Sequence, residues 1–564
     1  MDLRLRGTCY MRAFGSRQHD PVLRNIRVPR PKEDRTSLKQ PTRSLWRPLR
    51  TPIFRDLLLA DVASDIGTFM QGVGAAWLMV SLGAGPVYVA LIQTAATLPF
   101  FLFALPAGSV GDIVDRRKLI LFTETWMVCV AIALAVVTLT GTMTPWLLLA
   151  LTFALSAGDA FETPTWRALL PELVAKDDLA AASALNGIEF NIARAVGPAL
   201  AGLLIAAAGV GVTFLVNVAS FVGVIIVVAR WKRVVHQRST PRESVGGATV
   251  AAVRYVRYSP TIRGLILRSG AVMFFASASF ALLPTIAGGT GNGAIGYGVL
   301  LGAFGIGAIG GAVLMQRARA RWSTEAIGTM AVAVLGVGIV ATGRVHALGG
   351  LMVVLFVSGA GWLVFISLVG ALVQNLAPDW VRARVLAVYM LVSQGGLAAG
   401  SALWGNVGAR AGMESALLWA GLGTIATCML GFVARLPAIT ADVSPWNHWR
   451  LPAIAGGLAP ESAQGPVLVT VEYRIDRQHT SSFLRAMRRL GRVRRRDGAY
   501  RWGFYRDVEQ PDLYVETFLV GSWAEHIRQH DRLTRGDREL EELLQSYTRG
   551  EPAVRHLISG ESER

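Results

Sequence analysis

The chain is poor in charge, poor in cysteine, and has no apolar leader core of the kind a secretory signal needs. Only 17% of its 564 residues are charged, which excludes an ordinary soluble globular protein. Its cysteines, Cys9, Cys129 and Cys428, form no C-x-x-C pair and adjoin no histidine cluster, so neither a disulfide framework nor a metal site is indicated. Lysine and arginine are absent from GAGP (83 to 86), GTMTP (141 to 145), GVG (209 to 211) and GGTGNG (288 to 293). What is abundant instead is apolarity: 52% of residues are hydrophobic, gathered between 54 and 435 into about a dozen runs, each near the ~20 residues that cross a bilayer.

Every second loop between those runs is basic. Arg116 to Lys118, Arg167 with Lys176, the stretch from Arg230 to Arg268, Arg317 with Arg319 and Arg321, and Arg382 with Arg384 alternate with the charge-free segments; only Arg344 and Arg410 fall on the other side. Short loops rich in Lys and Arg stay on the cytoplasmic face, which predicts an even span count, both termini inside, and a multi-pass protein of the plasma (inner) membrane. The net charge of +18 lies in these loops and both ends of the chain, where anionic headgroups attract it, so a lipid bilayer and not nucleic acid is the expected partner.

Composition divides the chain further. Residues 1 to 45 read as a disordered basic tail or an over-extended start. Residues 46 to 230 hold six spans, at 54 to 82, 87 to 110, 119 to 140, 145 to 165, 184 to 208 and 210 to 229. A cytoplasmic linker covers 231 to 262, and ATVAAVRYVRY (248 to 258) within it has the pattern of an interfacial amphipathic helix. Six more spans follow within 263 to 435, at 264 to 288, 294 to 315, 324 to 342, 347 to 375, 386 to 409 and 413 to 434. After a Pro- and Gly-containing linker (436 to 466), residues 467 to 560 change to soluble periodicity: VLVTVEYRI as a strand, 477 to 496 as a helix, 500 to 508 and 512 to 520 as strands, 522 to 547 as helices, and VRHLI (554 to 558) as a last strand.

A weak repeat links the two membrane halves: ALLPELV (168 to 174) with GPALAG (197 to 202) recurs as NLAPDWV (375 to 381) with GSALWG (400 to 405). Parallel repeats of six spans, with substrate near the midplane between them, are how the major facilitator fold is built. The fold class expected is thus an all-α polytopic membrane protein, twelve transmembrane helices in two six-helix repeats, plus a small α+β domain.

PAGSVGDIVDRRK (106 to 118) resembles the major facilitator signature G-x-x-x-D-R-x-G-R-R/K, with Gly108, Asp112, Arg116 and Arg117 at matching positions. Ile113 and Asp115 depart from it, which puts the tight turn in doubt. The resemblance implies gating, in which Asp112 at a helix end pairs with arginines and favours one access state. In the second half GAVLMQRARAR (311 to 321) has Met315 at the acid position, so only the basic part remains. Residues 46 to 71, 184 to 202 and 378 to 390 are similar to the exporter branch that includes enterobactin exporters and transmembrane secretion effectors. Gly197, Pro198 and Gly202 also resemble the G-P-x-x-G-G element of proton antiporters, a sliding interface or simple close packing of small residues.

Ionisable residues inside the spans are the candidate coupling groups, because a charge at the bilayer centre costs roughly 2.5 to 3.5 kcal/mol on insertion scales. Asp61 and Asp65 share a face of span 1, Asp159 and Glu162 lie three apart in span 4, and Glu189 and Arg194 occupy span 5. Asp61 or Asp65 is the expected proton or substrate carboxylate with Arg194 as counter-charge. Alternatively Asp61 faces only headgroups near a helix start, and Asp159 and Glu162 serve as structural ion pairs.

The last segment's β-α-β-β-α-β order resembles a ferredoxin-like module of the antibiotic-biosynthesis-monooxygenase type, which implies dimerisation through its sheet. His526 and His530 lie one turn apart, enough for a metal only with a third ligand, and on a charged helix solvation is expected. Arg488, Arg489, Arg492 and Arg494 to Arg496 read as a solvated or lipid-facing surface. The function expected is secondary active export of a small molecule, siderophore, drug or related metabolite, by alternating access with proton antiport. No cofactor and no catalytic residue are expected. The alternatives are a membrane-anchored monooxygenase-like enzyme or an importer of the same fold.

Overall fold

The computed structural model describes residues 44–231, 245–437, 443, 444, 446 and 465–558, so the expected tail lies outside the described residues up to position 43. With no water in a bilayer core, an apolar chain must satisfy its peptide groups within each segment, and helices do this. The first six are α1 (Pro52–Ser81), α2 (Gly85–Ile113), α3 (Arg116–Leu139), α4 (Pro145–Leu173), α5 (Leu179–Ala208) and α6 (Val210–Arg230). Beyond α7 (Val245–Tyr258) come α8 (Pro260–Gly289), α9 (Gly293–Arg319), α10 (Thr324–Thr342), α11 (Leu348–Leu376), α12 (Arg382–Ala411) and α13 (Met413–Ala426). A short 3-10 turn joins α13 to α14 (Leu430–Val433). Helices α1, α2, α4 and α8 open with proline in the first turn, where no intrahelical donor is lost. Gly209 (φ 83°) and Gly412 (φ 87°) adopt left-handed backbone that lets α6 follow α5, and α13 follow α12, almost without a loop.

Ten helices among the described residues are long and apolar enough to cross a membrane. The two that fall short, α1 and α4, are 30 and 29 residues long and carry Asp61, Asp65, Asp159 and Glu162. Helix α4 continues to Leu173, past its expected end at 165, with Pro164 and Pro171 inside it. The repeat falls on matching helices, since α5 packs against α9 of the other half and α12 against α2.

Arg268, read from the sequence as part of a basic loop, is instead buried inside α8. Its Nη1 donates to both carboxylate oxygens of Glu325 on α10, at 2.9 and 3.0 Å, and its Nη2 donates to the Thr329 hydroxyl at 3.2 Å. Helix α8 begins four residues earlier than its apolarity predicts, because Pro260 starts the helix before the apolar run does.

Helix α7 also departs from expectation. Its apolar stripe, Ala251, Ala252 and Tyr255, is covered by protein and not by headgroups. It packs on α8, on α12 and on the carboxy-terminal module. That module runs β1 (Val467–Arg474), α15 (Thr480–Asp497), β2 (Arg501–Arg506), β3 (Leu513–Val520), α16 (Trp523–Asp531), α17 (Arg535–Gln545) and β4 (Ala553–Ile558). The strands form one antiparallel sheet in the order β2-β3-β1-β4, with Val467 opposite both Val520 and Ile558. Alternation along β1 buries Val467, Val469, Val471 and Tyr473 beneath the helices.

Arg494 and Arg496 are not a solvated surface. Arg494 lies between Glu516 (3.4 Å) and Glu541 (3.0 Å), and Arg496 between Asp497 and Asp537 (both 2.7 Å). The reason is spacing: Phe483, Met487 and Leu490 define the buried stripe of α15, and Arg494 extends it by one turn. Arg488, Arg489 and Arg492 are exposed, as expected. The module docks on α7 through Arg254, which reaches Glu525 (3.4 Å) and the Arg496 carbonyl (3.3 Å). Arg532 stacks on Trp380 at 4.6 Å, and Trp380 meets Tyr255 edge-on at 5.8 Å.

Arg268→Ala leaves Glu325 without its guanidinium and is expected to destabilise the protein by about 3 kcal/mol, the scale for breaking one side of a buried pair. Arg268→Ala/Glu325→Ala should lose less than Arg268→Ala alone in thermal unfolding of the detergent-solubilised protein. A double variant as unstable as the sum of the singles would mean that the two side chains act independently.

Candidate functional site

Four helices of the first half bring six carboxyls together. The four-residue spacing of Asp61 and Asp65 sets both on one face of α1, and the three-residue spacing of Asp159 and Glu162 does the same on α4. Helix α5 contributes Glu189, and α3 contributes Glu124, which the sequence reading did not single out although it too is an ionisable residue inside an apolar run. Asp61 lies nine residues inside α1, roughly 13 Å from its start at 1.5 Å per residue, and accepts from the Trp166 indole at 3.0 Å. Thr123 donates to Glu162 at 3.0 Å, and Thr163 donates to Asp159 at 2.9 Å.

The carboxyls of Asp65 and Glu189 face each other, as do those of Glu124 and Glu162, and Asp61 lies in electrostatic range of Asp65, Glu162 and Asp159. Glu124 and Glu189 are buried, and each has one carboxyl oxygen without a hydrogen-bond partner. Arg194 lies in range of Asp65 and over the ring of Phe190 at 4.8 Å, so Arg194 and Glu189, five residues apart on α5, both meet Asp65 of α1. From Asp65 near the middle of α1, the acids form a ladder towards the basic-loop end of the bundle.

At that end, Gly108 and Asp112 lie in the last turns of α2, and their side chains are outside the described residues. Arg116 pairs with Glu172 at the end of α4 (2.7 Å). Arg117 donates to the Val228 and Ala229 carbonyls (3.0 and 2.7 Å), completing the exposed end of α6. Asp115, which replaces the second glycine of the signature, caps α3 by accepting from the Lys118 amide at 3.2 Å. Arg317 and Arg319 are exposed in the last turn of α9, and Arg321 just beyond it.

The motif on α5 lies between two helices, with Gly197 facing α1 of its own half and Pro198 and Gly202 facing α9 of the other. Gly197 abuts Ile66 and Phe69 of α1, while a Cβ on Gly202 would come within 2.9 Å of the Ala294 carbonyl and 3.2 Å of the Gly298 Cα. Across the molecule, Gly395 abuts Phe101, and the Thr94 hydroxyl donates to the Ala398 carbonyl at 3.0 Å. These approaches lie in the middle and charge-free-loop portions of α2, α5, α9 and α12, so the halves are joined towards that end. Trp362 and Trp404 are packed in aromatic clusters with Phe280 (4.8 Å) and Phe274 (6.3 Å), a core role.

In the module, His526 is buried and not solvated, and its Nε2 lies 3.2 Å from that of His530. His556 of β4 stands 4.9 Å away, ring to ring. Burial, then the neighbouring His556, lowers His526 to about 4, and burial with His526 lowers His530 to about 2. No group of three or more His, Cys, Asp or Glu suited to a metal occurs among the described residues.

Residues 43–564 match the family described as transmembrane secretion effector. The chain is 27% identical to the Staphyloferrin A transporter of Staphylococcus aureus over 164 residues, 28% of this chain and 41% of that protein. To the Enterobactin exporter EntS of Salmonella choleraesuis it is 27% identical over 369 residues, 64% of this chain and 86% of that one. The Multidrug efflux pump Tap of Mycolicibacterium fortuitum is 24% identical over 67% of this chain and 94% of its own. Among solved structures, a variant of the nucleoside transporter NupG aligns over 68% of this chain and 100% of its own with TM-score 0.57 and 10% identity. A bacterial homolog of the human lysosomal transporter Spinster, inward-facing, covers 69% and 96% with TM-score 0.53 and 13% identity. At these identities the structural likeness bears on the fold alone.

Gly202→Leu should push α5 from α9 and open the charge-free end, raising thiol labelling of a cysteine introduced at Ala294, which is buried beside this contact, severalfold; unchanged labelling would mean that this contact does not hold the end shut. In the module, unfolded histidines protonate below about pH 6.5 while His526 and His530 stay neutral to about 4 and 2, so stability falls as pH drops from 6.5. Asp497, which burial raises to about 6, works oppositely between pH 6 and 4. Hydrogen exchange over residues 467–558 should therefore quicken between pH 7 and 5 beyond its intrinsic pH dependence, less so in His526→Gln/His530→Gln. An equal response in both proteins would contradict the assignment.

Proposed function

The chain belongs to the transmembrane secretion effector family and is a multi-pass secondary transporter, and on that footing we propose that it exports a small molecule in exchange for protons taken up through the carboxyl ladder of its first half. The observation that carries this reading is the pairing of Asp65 with Glu189 beside Arg194, midway along α1 and α5. Two carboxyls can share a proton, and a guanidinium in range supplies the counter-charge when that proton is absent. Passing a proton from Asp65 and Glu189 to Asp61, and on to Glu162 and Glu124, leads it towards the basic-loop end.

We place that end in the cytoplasm by the alternation of Lys and Arg, with both termini inside and the protein in the plasma membrane. With the halves joined at the opposite end, the present state is then open inward and receives cargo from the cytoplasm. Binding and deprotonation favour closure of the basic end and release of the α5–α9 and α2–α12 contacts at the charge-free end, since a ligand shifts such an equilibrium only by its differential affinity. Arg116 with Glu172, and Arg117 on the end of α6, are the gating contacts in this scheme. Gly197, Pro198 and Gly202 give the sliding surface.

The exporters and efflux pump among the relatives support outward transport, with a siderophore or drug as cargo. No covalent chemistry is assigned to the module. Self-association through the open face of its sheet, where Tyr505 and Leu557 are exposed, belongs to the same reading. Removing residues 467–558 should convert a dimer to a monomer in light scattering; a full-length monomer would remove this element.

In everted vesicles energised to an acid interior, adding enterobactin or ethidium should release protons and drive uptake of one of them. Asp65→Asn and Glu189→Gln are expected to cut this coupled flux at least tenfold, with the protein still in the membrane. Uptake that persists after the pH gradient is collapsed, or full flux in Asp65→Asn, would overturn the antiport proposal.

A further inference from the structure

Where the module meets the membrane bundle, a group of arginines gathers that the transport reading does not use. Arg257 lies in the last turn of α7, Arg263 in the first turn of α8 and Arg495 in the last turn of α15, and Tyr258 links them. Its ring lies 5.9 Å from the Arg257 guanidinium and 6.0 Å from that of Arg495, while Arg263 Nη1 donates to the Arg257 carbonyl at 3.3 Å. Arg488 and Arg492, both exposed, extend the side of α15 that carries Arg495, at helical steps of four and three residues.

None of these arginines meets a carboxylate among the described residues. The acids at this junction are engaged elsewhere: Glu525 with Arg254 (3.4 Å), Arg528 (2.8 Å) and Arg532 (2.6 Å), and Asp497 and Asp537 with Arg496 (both 2.7 Å). Like charges held around one ring repel, and an anion shared between them turns that repulsion into attraction.

A second observation says which anion. Val250 and Val253 are 61% and 50% exposed and stand with Arg257 on one stripe of α7, opposite the stripe of Ala251, Ala252 and Tyr255 that the protein covers. On α8, a helix long and apolar enough to cross a membrane, Leu267 is 60% exposed one turn beyond Arg263 and on the same face. Open apolar side chains beside a basic cluster, at the level where a span begins, fit a molecule that carries acyl chains and a negative headgroup together. A soluble phosphate would engage the arginines and leave the valines and the leucine in water.

We propose that Arg257, Arg263 and Arg495 bind the phosphate of an acidic lipid headgroup, with Val250, Val253 and Leu267 against its acyl chains. Guanidinium groups suit this task because each presents paired N–H donors to phosphate oxygens. The bound lipid bridges α15 of the module to the start of α8, so the acidic lipid content of the bilayer sets how firmly the module is docked.

The test is native mass spectrometry of the full chain released from detergent, titrated with phosphatidylglycerol or phosphatidylcholine, and with inorganic phosphate as competitor. A saturable phosphatidylglycerol adduct is expected, at least tenfold tighter than that of phosphatidylcholine, weakened by salt, and at least tenfold weaker in Arg257→Gln/Arg263→Gln/Arg495→Gln. These arginines hold no carboxylate among the described residues, so the variant should melt where the parent does; should it unfold, Arg257→Gln/Arg263→Gln, confined to exposed side chains, replaces it. Inorganic phosphate that displaces phosphatidylglycerol as well as the lipid itself does would make this a site for soluble phosphate. Equal affinity for the two lipids, or an affinity unchanged in the variant, would mean unspecific lipid contact. Each of these results would overturn the proposal.

Discussion

Placing ionisable groups in a medium that cannot solvate them is the constraint on which this structure depends. A lone carboxylate or guanidinium within the bilayer is costly, so each such group must meet a partner from another helix. The first half meets that demand with a shared cluster and the second with the pair of Arg268 and Glu325. The halves therefore repeat each other in helix order and packing while differing in chemistry. The proton-handling groups proposed here all belong to one half, and the second contributes the glycine-lined surface of α9 against which α5 rests.

The same demand explains which helices look least like membrane spans. Helices α1 and α4 fall below the apolarity of the other ten because they carry the acids, and they are accommodated by the neighbours that surround those acids. The junction of the halves follows from small residues: Gly202 and Gly298 permit backbone approach near the charge-free loops, and Gly395 admits the Phe101 ring midway along α12. At the basic end, arginines are engaged with helix ends and carboxylates within their own half, as with Arg117 on α6 and Arg116 on Glu172.

Much of this was legible in the sequence, because apolar run length and loop charge are direct readouts of the membrane. The order of strands and helices in the module was legible from alternation, and the repeat pointed to α5 and α12 as equivalents. What escaped was mostly a matter of which side of a helix a polar residue takes. Glu124 carries the same signal as Asp61, Asp65, Asp159, Glu162 and Glu189, an acid inside an apolar run. Arg494 and His526 were misjudged because a highly charged helix obscures its own buried stripe; Phe483, Met487, Leu490 and Arg494, like Trp523, His526 and His530, follow three- and four-residue steps that locate that stripe. Arg268 already fell inside the span expected at 264 to 288; what hydropathy does not give is the side of α8 it takes, towards Glu325 of α10.

The central claim is that protons on the carboxyl ladder bias which end of the transporter is open. Its most direct test is the distance between spin labels at Arg230 and Arg319, which end α6 and α9 on the basic side of opposite halves. The account predicts a distance distribution that shifts between an open and a closed population as pH changes, and that loses this response in Asp65→Asn/Glu189→Gln. A pH response of equal size in that variant would contradict it.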